Sequence, residues 1–290
     1  MIATIPADTE CYARSTIHDR ARATRRWLTL LAAATVALAP ASAFGQQAFP
    51  YRWRTGWDVA FTVGGLAMFA TDVVRSQNVV EPLTPEKIQS LDPQRIGKID
   101  RFATRQYSTA ARKASDVLLW TMLVAPLTLM ATEPGNDDPL LIGAMYAEAQ
   151  LFQSGLVFML KSLVTRTRPF VYNNNPAIPP ESKLILFARR SFPSAHASTA
   201  FTSAVFLGSV NARLNPGSSA NAWVWAGSLT AAGLTGYFRI LGGQHFPTDV
   251  LAGAAIGALT GWIVPALHKQ ETTEGGADTR IAIPLASLRF

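Results

Sequence analysis

Six apolar runs follow one another along this chain after residue 50, and none of them alternates in steps of two. They cover about residues 57–74, 117–131, 141–160, 197–210, 222–241 and 250–267. Runs of this length and pattern predict helices and argue against a sheet. Turn-forming or charged stretches separate them, among them Glu133-Pro134-Gly135-Asn136-Asp137-Asp138 and Asn215-Pro216-Gly217-Ser218-Ser219. The last run is dense in small residues, as in Ala252-Gly253-Ala254-Ala255-Ile256-Gly257-Ala258, which lets two helix backbones approach closely. The charged stretch 75–115 is expected to carry short helices of its own.

The beginning of the chain has a different character. Arg20, Arg22, Arg25 and Arg26 precede an apolar run at 27–39, and Pro40-Ala41-Ser42-Ala43 follows it. A charged n-region, a short h-region and an A-x-A site predict an export signal over 1–43, with an uncleaved anchor as the alternative. Residues 44–290 then form one domain, of which 270–290 is a C-terminal tail. The single cysteine, Cys11, falls inside the signal, so the mature chain has no disulfide and depends on its core. Lys and Arg number 26 against 19 Asp and Glu, a formal charge of +7. With no nucleic-acid motif beside it, that balance points to an anionic lipid surface or a phosphate-bearing substrate.

Chemistry concentrates in three blocks: K-S-L-V-T-R-T-R-P from Lys161 to Pro169, P-S-A-H from Pro193 to His196, and R-I-L-G-G-Q-H-F-P-T-D from Arg239 to Asp249. A phosphate monoester carries nearly two negative charges and needs fixed cations, which Lys161, Arg168 and Arg239 supply. Phosphoryl transfer further requires a nucleophile and a group that orients it. His245 and Asp249 are the natural pair: Pro247 starts a helix, Asp249 lies in its first turn, and a carboxylate there reaches back to one ring nitrogen. His196 opens another helix and is placed to act as general acid. Ser194, Ala195 and the first backbone N–H groups of that helix face any bound anion. Helical continuation from Lys161 puts Arg168 on its face two turns later.

The ordered set resembles the signature KxxxxxxRP, PSGH and SRxxxxxHxxxD of the type 2 phosphatidic acid phosphatase and vanadium haloperoxidase superfamily. Two positions depart from it: Ala195 stands for the glycine and Phe238 for the serine. The resemblance implies an all-α fold, a six-helix core bundle that is membrane-associated, with signature blocks at 161–249. It implies a metal-independent phosphatase that hydrolyses a phosphomonoester or diphosphate of a membrane lipid through a phosphohistidine at His245. It implies no metal and no cofactor; the alternatives are a vanadate-dependent haloperoxidase or a periplasmic acid phosphatase acting on soluble esters. The expected partners are the phosphate substrate and the membrane, with no nucleic acid, in the bacterial envelope.

Chain order supports a single site. Lys161 closes the third run, His196 opens the fourth, Arg239 closes the fifth and Asp249 opens the sixth, so antiparallel helices bring all four to one end. Outside the blocks, Arg166, Arg189 and Arg190 read as solvated or lipid-facing charges, and His18 and His268 as cap or surface residues. Glu148, inside an apolar run, is either a buried group with a partner or one that faces a cavity.

Overall fold

The computed structural model describes residues 49–270; the export signal expected over 1–43 and the tail beyond 270 lie outside the described residues. Six long helices match the six apolar runs: α1 (Thr55–Asn78), α4 (Thr109–Val124), α5 (Pro139–Val164), α6 (Ala195–Leu214), α7 (Ala220–Leu241) and α8 (Pro247–Leu267). Two short helices, α2 (Pro85–Gln89) and α3 (Lys98–Arg101), occupy the charged stretch between α1 and α4. Among the described residues there is no strand, and one isolated bridge joins Tyr51 to Lys269.

Local chemistry sets the helix starts. Ser108 accepts the Ala111 N–H at the head of α4, Asp138 accepts the Leu141 N–H at the head of α5, and Ser194 accepts the Ala197 N–H at the head of α6. Because Ser108 provides a cap, α4 starts eight residues ahead of its apolar run and carries Ser115 and Asp116 into the bundle. Pro139 and Pro247 occupy first-turn positions, where a missing N–H costs nothing.

Helix α6 is the central element, packed by α4, α5, α7 and α8. Its seam with α8 is close because Gly253 and Gly257 face backbone: a Cβ at either would stand 2.3 Å from the Ser194 carbonyl oxygen or 2.1 Å from that of Ser198. Its seam with α5 is polar, with Gln153 accepting from Ser198 at 2.6 Å and Gln150 donating to Ser203 at 3.0 Å. Such paired polar contacts fix register in a way that greasy packing does not. The main apolar cluster, with Phe61, Leu141, Met145, Tyr146, Phe206 and Val264, fills the bundle away from the three blocks. A smaller one, Leu83, Phe170, Val171, Ile178 and Ala188, packs the loop that joins α5 to α6.

The outer faces are apolar. Val59 and Val63 on α1, Trp120 and Val124 on α4, Trp223 on α7 and Leu251 on α8 are all exposed, Trp223 to 80%. Thr55–Asn78, Thr109–Ala131 and Pro247–Leu267 are long and apolar enough to cross a membrane. Apolar surface on this scale belongs against lipid rather than water, and the chain is membrane-associated.

Candidate active site

The three blocks meet at one end of the bundle, where α5 and α7 end and α6 and α8 begin. Lys161, in the last turn of α5, is buried, and its Nζ donates to the carbonyls of Arg190 (3.1 Å), Ser191 (3.4 Å) and Pro193. α5 stops at Val164, and Thr165 takes the left-handed conformation (φ 45°), which turns the chain sharply. Arg168 therefore reaches the site from a loop and not from a second helical turn beyond Lys161. Its backbone N–H bonds the Ala188 carbonyl at 2.8 Å. The guanidinium is held over the Phe187 ring, donates to the Phe187, Gln244 and Arg190 carbonyls, and lies 3.2 Å from His245 Nε2. The Arg190 carbonyl thus accepts from both Lys161 and Arg168, which ties the first block to the segment just ahead of the second.

His245 is buried and leads into α8. Asp249 Oδ2 accepts the Phe246 N–H at 2.9 Å, closing the start of that helix, and lies 3.6 Å from His245 Nδ1. That separation is longer than a hydrogen bond, and Nδ1 has no partner. The pair is adjacent as its spacing predicts, while Asp249 is engaged elsewhere: it accepts from Ser191 Oγ and, at 2.6 Å, from Arg166. Burial, with Arg168, Lys161 and Arg239 nearby, drives the His245 pKa well below its ordinary value, so the imidazole is neutral and Nε2 retains its lone pair.

His196, in the first turn of α6, is the more open imidazole. Its Nε2 lies 2.9 Å from Asp116, which also accepts from Arg239 at 3.2 Å. Burial and Arg239 push its pKa down to about 4 against the upward pull of Asp116. Arg239 is buried at the end of α7, and its Nε has no partner. The Ser194 hydroxyl oxygen caps α6 and its N–H bonds the Asp249 carbonyl at 2.9 Å, which leaves the hydroxyl proton as the donor this residue can turn toward an anion. The N–H groups of Ala195 and His196, first in α6, have no intrahelical acceptor and remain for that purpose.

Further residues belong to this web. Arg166 is neither solvated nor lipid-facing: it bridges Asp249 and Asp100 (2.7 Å) and lies over the Phe246 ring. Burial works against its charge, but the two carboxylates outweigh that and raise its pKa. Asp100 also accepts from Thr248, which pins α3 to the start of α8. Arg190 likewise pairs with buried Asp72 of α1. Arg189 is half-buried and donates to the Glu81 carbonyl at 2.9 Å. Asp116 had no motif to mark it; its one signal is a carboxylate at the margin of an apolar run.

Residues 140–273 match the family model described as PAP2 superfamily. A lipid A 1-phosphatase of Porphyromonas gingivalis is 36% identical over 89 residues, which are 29% of this chain and 19% of that protein's length. Among solved structures, the chain is similar to the transmembrane PAP2-type phosphatidylglycerolphosphate phosphatase of Bacillus subtilis, at 19% identity and a TM-score of 0.40 over 72% of this chain and 94% of that one. It is also similar to LpxE of Aquifex aeolicus, at 27% identity and a TM-score of 0.37 over 62% of this chain and 92% of that one.

Proposed function

The chain belongs to the PAP2 superfamily through residues 140–273, and on that premise we propose that it is a phosphatase that removes phosphate from a membrane lipid through a phosphohistidine at His245. The observation that carries the reading is the gathering of Lys161, Arg168 and Arg239 around one buried, neutral imidazole. A lipid substrate is favoured by the apolar outer faces and by the local similarity to a lipid A 1-phosphatase.

Arg168 and Arg239 neutralise the phosphoryl oxygens, helped by the free N–H groups of Ala195 and His196, while Lys161 holds the loop that carries them. His245 Nε2 attacks phosphorus, the P–O bond to the lipid breaks, and His196 delivers its proton to the departing alkoxide. The dianionic substrate beside His196 raises its proton affinity, which makes protonation at working pH compatible with a low pKa in the free enzyme. Asp249 is the acceptor for Nδ1–H as charge develops on the ring; closing the 3.6 Å gap takes a shift of under about 1 Å. Water then attacks the P–N bond, His196 takes its proton, and phosphate leaves.

The test is phosphate release from a panel of lipid and soluble phosphates in detergent with EDTA present. Hydrolysis of a lipid phosphate that persists in EDTA and is inhibited competitively by vanadate is the expected result. Loss in EDTA with recovery on adding a divalent ion would remove the metal-free mechanism. Bromide oxidation by peroxide with vanadate, without hydrolysis, would favour a haloperoxidase.

Asp116 gives a finer expectation. As acid, His196 must be protonated, and Asp116 pulls its pKa up. Asp116→Asn removes that pull, so the alkaline limb of kcat, which reports the enzyme–substrate complex, moves to lower pH by about one unit, and activity above neutrality falls. A pH–rate profile checks this; an unmoved limb would restrict Asp116 to holding Arg239.

A further inference from the structure

At the opposite end of the bundle, three side chains converge without serving the cradle. His268 follows the last turn of α8, Asp58 lies in the first turn of α1, and Glu148 projects from the middle of α5. Of the two readings its sequence allows, cap or surface residue, the first holds: His268 is the C-cap of α8, and it is fully buried. Its Nδ1 lies 2.8 Å from the Val264 carbonyl. A carbonyl only accepts, so Nδ1 carries a proton. Nε2 lies 2.6 Å from Asp58 Oδ1, a separation that requires a proton or a cation between the two, and 3.6 Å from Glu148 Oε2. Glu148 Oε2 has no hydrogen-bond partner, although its side chain is 9% exposed.

Three electron-pair donors that face one another need something positive between them. Protons satisfy the cluster only as two, one on His268 toward Asp58 and a second on Glu148. One divalent cation satisfies all three. We propose that Asp58, Glu148 and His268 form a binding site for a borderline divalent ion of the Zn²⁺ or Co²⁺ kind, separate from the phosphate cradle. One imidazole with two carboxylates, and no thiolate, is a donor set for such ions. The Nδ1–H to carbonyl bond is the usual support that orients a metal-binding histidine. The three donor atoms lie within 4.8 Å of one another. At metal–ligand distances of about 2.1 Å, tetrahedral donors stand about 3.4 Å apart. The Glu148–His268 distance already fits, and Asp58, whose side chain is 18% exposed, has room to withdraw. A fourth position lies on that exposed side for water.

The ion would act as a clasp and not as a catalyst. α8 is 21 residues long, which separates His268 from the phosphate cradle by roughly 30 Å. Backbone contacts already join the first and last described segments here: the Arg52 N–H bonds the His268 carbonyl at 2.9 Å, and Gln270 N–H bonds that of Pro50 at 3.0 Å. A metal at this point cross-links α1, α5 and the end of α8.

Untagged full-length protein in detergent, stripped with EDTA and desalted, is titrated with Zn²⁺ or Co²⁺; retained metal and thermal unfolding are measured. One retained equivalent, a visible spectrum of four-coordinate Co²⁺, and a Tm rise of roughly 5–10 °C at about 100 times Kd are expected. Glu148→Gln and Asp58→Asn should each weaken retention by about tenfold or more. No retained metal in the wild type would overturn the site, as would equal retention by a folded Glu148→Gln protein; Asp58→Asn, at a partly exposed position, supplies the comparison if Glu148→Gln fails to fold. Phosphate release by the stripped protein, read in the same samples, reports on the cradle alone.

Discussion

Replacing His245 by alanine is expected to bring turnover to background, a loss on the order of 10⁴-fold or more, and to abolish any phosphoenzyme. His245 combines a nitrogen lone pair, at Nε2, with burial among cations. His196→Ala fails in a different way. The mutant lacks the acid that protonates an alkoxide, so an alkyl phosphate suffers far more than an aryl phosphate with a good leaving group. With the aryl ester His245 still becomes phosphorylated, and without a base for water the intermediate accumulates. Rapid quench labelling, worked up at alkaline pH to preserve the phosphoramidate, distinguishes the two variants. Equal losses on both esters with no trapped intermediate would show that His196 has a different role.

Arg166→Ala is expected to destabilise the protein by about 3–5 kcal/mol, because it leaves buried Asp249 and Asp100 without their shared cation. Activity falls with it, since Asp249 loses one of its anchors beside His245. Arg166→Lys recovers only part of both, as a single ammonium does not bridge two carboxylates as a guanidinium fork does. Denaturant unfolding in detergent measures the first effect and kcat the second. A cost below about 1 kcal/mol for Arg166→Ala would mean that the two acids find other partners.

The helices and the catalytic cluster were legible because both rest on short-range rules. Apolar runs of helical length announce helices, and four motif residues at alternating helix ends announce one face of a bundle. What lay hidden was the pairing of charge with charge across long sequence separations. Arg166 looks like any basic residue in a turn, and its role depends on Asp100 and Asp249, which the chain order does not connect to it. Asp116 is tied to the site only by the packing of α4 on α6 and α7. The cap that Ser194 supplies to α6 was not read from the sequence, although a serine at a helix start can accept a backbone N–H with its oxygen while its O–H stays available. Lys161 and Arg168 share a site although helical periodicity does not connect them; one left-handed residue, Thr165, intervenes.

The glycine seam between α6 and α8 has a mechanical consequence. His196 and the Asp249 that flanks His245 are both referenced to this one seam, through the Ser194 N–H to Asp249 carbonyl bond and the close approach at Gly253. α8 turns its exposed side, with Leu251 and Leu259, away from the seam, and the apolar outer surfaces of α1, α4 and α7 lie on other parts of the bundle, where changes in bilayer thickness or lateral pressure are felt first. Strain entering there is taken up by side-chain packing before it reaches a backbone-to-backbone contact with no slack. The expected result is that a change of lipid or detergent alters how many molecules stay folded more than it alters the turnover of each folded molecule.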